Sequence, residues 1–320
     1  MRHLTKLFYA GIFSFLIAGS VLITGCPSKS SPTSTANPTP TPYYSTSAVT
    51  VFSGTGTFVP RSINYYNGDL WIANSYTSAG AMDEYTTAGL AVTAISTYSG
   101  SNPFDGVGNA NIGPDGTIYV PDWGNGQVEV FSSSGTYQTL IPGFTKTTSV
   151  AITSDGLILY VLENSSPVSI LIYAIDNSTN PKTFVNAGYF STTSSGVGTL
   201  MAPQFLALDS NNNVYVTNLA VTPNIVKYGP TGANPVSFGT PALTLPWGIV
   251  VDSAGNVLVS DCNLPGFIQE FNPSGSTYTA GVTFGNNASY RIDSLTLDGS
   301  GNLYAADYSG MGILEFTNTN

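Results

Sequence analysis

Histidine occurs once in the 320 residues, at His3. Imidazole acid–base chemistry and imidazole metal ligation are therefore closed to everything beyond the first few positions. Cysteine occurs twice, at Cys26 and Cys262, too few for a disulfide framework or a paired-cysteine metal site. Cys262 is expected to be a small, buried thiol before any reactive role. Charge is scarce as well, at 8% of residues, with 8 basic side chains against 18 acidic and a formal net of −10. No basic stripe exists, which excludes nucleic acid as a partner. Neither a Gly-x-Ser-x-Gly elbow nor a phosphate-cradling glycine loop is present.

What the chain has instead is repetition. In Asp252–Phe271 an acidic turn leads into the apolar run Val257-Leu258-Val259, which ends at Asp261; a loop and a second strand, Ile268–Phe271, follow. The same grammar recurs as 67–74 with 82–85, 115–122 with 128–131, 155–163 with 170–173, 211–218 with 225–228, and 299–307 with 313–316. The run centres are Trp71, Tyr119, Tyr160, Tyr215, Leu258 and Tyr304, at spacings of 48, 41, 55, 43 and 46 residues. A period of this length built only of short strands is a blade repeat, and single blades must stack around an axis to bury their faces. Upstream of each turn lies a further short apolar run, such as Ile249-Val250-Val251 or Leu295-Thr296-Leu297. These fit the crowded innermost strand. Outermost strands are read at Gly281–Gly285 and Pro235–Gly239. The expectation is an all-β, six-bladed β-propeller of four-stranded blades over residues 48–320.

The sixth unit ends four residues after Phe316, with no room for a fourth strand. Residues 48–54, which read like Gly281–Gly285, are expected to close the ring by pairing with the third strand of the last blade and covering its bare edge. The alternative is that 48–54 simply prolongs the tether.

Residues 1–25 read as an export signal: Arg2, His3 and Lys6, then the apolar run Leu7–Ile23. That run could nearly span a bilayer, so an uncleaved anchor is the alternative. Leu22-Ile23-Thr24-Gly25-Cys26 resembles the cleavage box of bacterial lipoproteins. The resemblance implies a lipidated Cys26 holding the protein to a membrane. With Pro27 following, it favours the outer membrane or cell surface over the inner membrane. Residues 26–47, rich in Ser, Thr and Pro, form an expected extended tether.

The unit pattern aliphatic-x-aliphatic-Asp, turn, Gly-Asn-aliphatic-Tyr-Val-x-Asp, loop, aliphatic-x-x-Phe resembles NHL repeats, most clearly at 113–131, 246–271 and 289–316. The Asn-His-Arg stretch that often precedes the third strand in that family is absent, with Leu264-Pro265-Gly266 in its place, which removes any function carried by that loop. Propellers of this kind gather the loops entering the first strand and leaving the second around one channel mouth. Aligned units place Arg61, Gly108, Thr148, Gln204, Trp247 and Asp293 at one level. They place Asn74, Asp122, Glu163, Asn218, Asp261 and Asp307 at a second.

Carboxylates and amides at strand ends ordinarily accept hydrogen bonds from the following loop. The functional alternative is an acidic, aromatic rim with Tyr76, Trp123, Trp247 and Tyr308, suited to a glycan, a polypeptide or a hard cation. Arg61 and Asp293, in the first and last blades, are placed to pair. Glu84, Glu129, Glu270 and Glu315 are expected to be solvated on third strands. Six-bladed relatives include calcium-dependent lactonases and histidine-using antibiotic lyases. The former would need calcium at Asp122, Asp261 and Asp307, and blade one begins with Arg61-Ser62-Ile63 where that family's glutamate is expected. The reading is a monomeric, membrane-tethered binding or scaffold module with no cofactor. Its ligand residues are Arg61, Trp123, Gln204, Trp247, Asp293 and Tyr308. A calcium-dependent hydrolase and a purely structural surface protein are the alternatives.

Overall fold

The computed structural model describes residues 44–53, 58–75, 80–98, 102–191, 197–219, 222, 224–241 and 243–319. The leader, Cys26, Tyr76 and most of the expected tether lie outside the described residues. The rest is all β, without helices: six four-stranded antiparallel sheets arranged as the blades of a propeller.

Blade 1 runs through Pro60–Tyr66, Asp69–Asn74, Ala81–Thr86 and Ala91–Ile95, from the axis outward. Blade 2 comprises Asn111–Ile112, Ile118–Asp122, Gln127–Phe131 and Tyr137–Pro142, and blade 3 Thr147–Ile152, Ile158–Glu163, Ser169–Asp176 and Thr183–Ser191. Blade 4 comprises Pro203–Leu208, Val214–Asn218, Ile225–Tyr228 and Val236–Phe238. Blade 5 comprises Pro246–Val251, Val257–Asp261, Gly266–Ser274 and Thr277–Asn287. Blade 6 supplies only Ile292–Leu297, Leu303–Asp307 and Gly312–Phe316; its outermost strand is Val49–Ser53. The innermost strands touch in sequence from blade 1 to blade 6 and back to blade 1.

The second strands carry unbroken apolar runs because both of their faces are interior. Val257 and Val259 pack towards blade 4 while Leu258 packs towards blade 6. Likewise Ile118 and Val120 face blade 1 while Tyr119 faces blade 3. Each of the six blade-to-blade interfaces has its own apolar cluster, so no blade has a core by itself.

Turns from the first to the second strand repeat one hydrogen-bond set. In blade 5, Asp252 Oδ1 accepts from the N–H groups of Ala254 and Asn256, and Oδ2 accepts from the Asn256 amide. Blades 4 and 6 do the same with Asp209 and Asp298. Gly255 and Gly301 at φ of +83° and +81°, and Asn212 at +61°, take the left-handed position of these turns.

The innermost strands cannot all complete their ladders with neighbours in other blades, and short polar side chains make up the difference. Ser294 accepts from the Ile63 N–H across the junction of blades 6 and 1. Ser62 donates to Asn109, Asn109 to Ser149, and Ser149 accepts from the Leu206 N–H. This belt of hydroxyls and amides carries pairing across successive blades around the axis.

Closure takes the expected form. Val49, Thr50, Phe52 and Ser53 pair with Glu315, Leu314, Ile313 and Gly312, with a bulge between Thr50 and Phe52. Packing starts earlier than the boundary at 48: Tyr44 bridges to Asn318, is 3% exposed and stacks on Phe284 at 5.3 Å. A tyrosine with apolar partners on a blade edge is held by them, whatever the Ser/Thr/Pro composition upstream of it.

Three further features differ from the expectation. Blade 2 has only two residues of regular inner strand, and Asn109 bridges directly to Ser149 instead. A small hairpin, Thr97–Tyr98 with Asn102–Pro103, stands between blades 1 and 2. Glu129 and Glu270, expected in solvent, are 0% and 2% exposed, whereas Glu84 and Glu315 are partly exposed. Phe104, at the end of that hairpin segment, packs on Phe131, which shares a strand face with Glu129, so the third strand of blade 2 is covered along its length.

Candidate functional site

Strand direction places the start of every inner strand beside the end of the second strand, so the connecting loops share one end of the ring. Pro246 pairs with Asp261 and Ile292 with Asp307 in this way. At this end a cavity of about 370 Å³ opens on the axis. Five of the six residues aligned at the first level line it, one from each of blades 1 to 5: Arg61, Gly108, Thr148, Gln204 and Trp247. Trp123, expected at the rim, forms part of the same wall, together with four residues outside the aligned levels: Ser75, Val107, Lys146 and Phe205.

Gly108 is fixed by proximity. A Cβ there would meet the Thr148 carbonyl oxygen of the next blade, at 2.5 Å. Trp123, although 47% exposed, is seated on Gly106, where any side chain would overlap the indole. Trp247 is partly buried with its ring edge-on to Phe205 at 6.4 Å. Thr148 donates to the Gln204 carbonyl and the Gln204 amide donates to Ala202, which fixes the polar part of the wall.

Asp293, the sixth member of the level, lies behind the wall. Its side chain is fully buried; Oδ2 accepts from Arg61 Nη1 at 2.6 Å, and Oδ1 accepts from the Cys262 thiol at 2.8 Å. Burial pushes the Asp293 carboxyl upward, opposed chiefly by the Arg61 charge. Burial, with the Asp293 charge beside it, pushes the Cys262 thiol up to about 12, so it stays protonated and unreactive, as expected of a small buried thiol. Tyr308 is not among the lining residues; it meets two cations, with the guanidinium carbons of Arg61 and Arg291 at 4.5 Å and 5.0 Å from its ring centre.

The second level is not a rim. Asp122, Asp261 and Asp307 are 0%, 1% and 2% exposed. Asp261 accepts from the N–H groups of Thr244, Leu245 and Asn263. Asp307 accepts from Arg291 and Ser309, and Asp122 from Asp105 and the Asn125 amide. Burial raises the carboxyls of Asp122 and Asp307, in each case against these bonds. Glu163 accepts from Thr145 and Lys146, Asn218 from Met201 and Ala202, and Asn74 from Val59. In all six blades, then, this side chain ties the loop entering the inner strand to the end of the second strand.

A calcium ion fits these residues poorly. The three carboxylates come from separate blades with their oxygens turned to backbone N–H groups, and a hard cation needs several oxygens converging on one point. Among the described residues, no group of three or more His, Cys, Asp or Glu side chains is arranged to hold a metal.

Among the described residues, the charges that do face the cavity are Arg61 and Lys146. Lys146 directly precedes the inner strand of blade 3, two residues before Thr148, and a wider window around that aligned position would have included it.

This combination defines a six-bladed β-propeller with a cavity at the mouth of its axis. Comparison with solved structures agrees on the fold. Virginiamycin B lyase from Staphylococcus aureus is 14% identical with a TM-score of 0.58, over 85% of this chain and 85% of that one. A protein of unknown function from Bacteroides thetaiotaomicron VPI-5482 is 16% identical with a TM-score of 0.60, over 85% and 72%. A streptogramin B lyase is 11% identical with a TM-score of 0.55, over 83% and 96%. At these identities the likeness is one of fold. No protein-family model matches the chain, and no curated protein matches it either.

Proposed function

We propose that the protein is a membrane-tethered, NHL-like binding module of the bacterial envelope, held by a lipid on Cys26 and presenting the propeller mouth to a glycan, polypeptide or envelope partner. The observation that carries the binding role is the mouth cavity: about 370 Å³, with two indoles, a phenyl ring and a few fixed polar groups. Its volume is at the small end of ligand pockets, which run to about 300–1,000 Å³. Among the described residues the lining holds no carboxylate, and the sole histidine of the sequence is His3, so the lyase chemistry of histidine-using relatives has no imidazole to carry it here. The strand-end carboxylates are engaged by backbone, which argues against the calcium-dependent hydrolase.

The test is a thermal-shift screen of the full chain against glycans, peptides and divalent cations, because an occupied site raises apparent stability. A glycan or peptide is expected to raise Tm, and Trp247→Ala to abolish the rise. Calcium alone raising Tm, with hydrolysis of a lactone, would overturn the binding reading. For the anchor, incorporation of labelled palmitate that is lost in Cys26→Ser is expected; unaltered labelling would remove Cys26 as the lipid site.

A further inference from the structure

We propose that the mouth cavity takes the acidic end of a glycan, a uronic acid whose carboxylate meets Arg61 and Lys146 while its ring lies against the tryptophan wall. The inference rests on the binding reading above and narrows its ligand class.

Basic side chains are few, and their placement is uneven. Among the described residues there are five: Arg61, Lys146, Lys182, Lys227 and Arg291. Lys182 pairs with Asp115 and Lys227 with Asp209, residues of the turns at the other end of the ring. Of the remaining three, Arg61 and Lys146 line the mouth cavity, and Arg291 precedes the inner strand of blade 6 at the same end of the ring. Of these only Arg61 has a salt-bridge partner among the described residues, Asp293, whose charge also acts on Arg291, while Lys146 has none. In a chain with a net charge of −10 this is where an anion meets a cation first. The acidic groups of the second level lie close by, but their oxygens point to backbone N–H groups behind the wall.

Arg61 is set for the purpose. Asp293 holds Nη1 and Tyr308 supports the guanidinium plane, while the side chain remains 36% exposed. One of its five N–H donors is thereby used, and the rest of the fork is free to meet a carboxylate without ordering a loose side chain first. Lys146 is exposed beside the same cavity and adds a point charge. The other walls suit a sugar more than an acidic peptide: indoles for the C–H face of a pyranose, and Ser75, Thr148 and Gln204 for its hydroxyls. The volume admits the end of an oligosaccharide and leaves the remainder outside.

The experiment is calorimetric titration of the full chain at low ionic strength with oligogalacturonate, its methyl ester and polyglutamate. Oligogalacturonate is expected to bind at least about tenfold more tightly than the uncharged ester, as loss of a charge-assisted contact implies. Its affinity is expected to fall as salt is added. Lys146→Gln is expected to weaken the acid several-fold more than it weakens the ester. That variant alters an exposed side chain and leaves the fold intact, whereas Arg61→Gln would strand buried Asp293. Equal affinity for acid and ester would overturn the inference and leave glycan binding standing. Binding of polyglutamate alone would also overturn it, in favour of an acidic polypeptide. Silence from all three, with no change in tryptophan emission, would overturn the inference and the glycan reading together.

Discussion

Asp261 and its counterparts show why a strand-end carboxylate in this fold is structural first. Three backbone N–H groups converge on Asp261, and an amide in its place would turn a donor towards at least one of them. Asp261→Asn is expected to lower stability by about 1–3 kcal/mol and to leave ligand affinity unchanged. Chemical denaturation beside a binding titration checks both. Glu129 is the opposite case, a buried carboxyl with too little support. Gln127 donates to Oε1, and Oε2 is buried without a partner among the described residues. Burial, aided by the charge of Asp122, pushes the group up to about 8 from an ordinary 4.5. Between those values the folded chain keeps a proton that the unfolded chain has released. Stability from this residue is therefore whole below pH 4.5, falls as pH rises towards 8 and is level beyond. Glu129→Gln is expected to flatten that decline and to raise stability at pH 8; parallel curves for the two proteins would contradict the assignment.

At the scale of the element, the strand Val49–Ser53 matters most, because it spares the protein an open sheet edge at Gly312–Phe316. Phe52 anchors it, stacked on Tyr85 at 4.3 Å and tilted against Phe58 at 5.4 Å, both in blade 1 or its approach. One side chain thus ties the closing strand of blade 6 to its neighbour. Phe52→Ala is expected to cost about 2–3 kcal/mol, less than a fully buried phenylalanine because Phe52 is half-buried. A measured loss below 0.5 kcal/mol, read against a surface substitution of about that effect, would mean the closure is ornamental. The strand was legible in the sequence because Ala48–Gly54 has the pattern of an outer strand and the sixth unit lacks one. Tyr44 was not, since a single aromatic among Ser, Thr and Pro has no period to reveal that it packs.

For the whole molecule, the number of blades was legible for a physical reason. Each second strand buries both faces, so its run of apolar residues is continuous and marks the blade even where turns vary. The mouth was legible in part. Alignment of Arg61, Gly108, Thr148, Gln204 and Trp247 works because register within a blade is fixed by pairing to the second strand. Lys146 and Phe205 were missed beside them, because a level assigned one residue per blade hides its neighbours. The strand-end carboxylates were legible in their ordinary role, as acceptors for loop N–H groups; the alternative, an acidic rim, fails because composition counts eighteen acidic side chains without showing that those nearest the axis face inward to backbone donors.

The proposed function puts ligand contact at one end of this ring. Hydrogen exchange of the full chain with and without oligogalacturonate tests it most directly. The account predicts slowed exchange in the loops entering the inner strands, around 106–109, 145–148, 202–205 and 245–248, with no change in the turns at Asp209, Asp252 and Asp298. Protection confined to those turns, or protection nowhere, would contradict it.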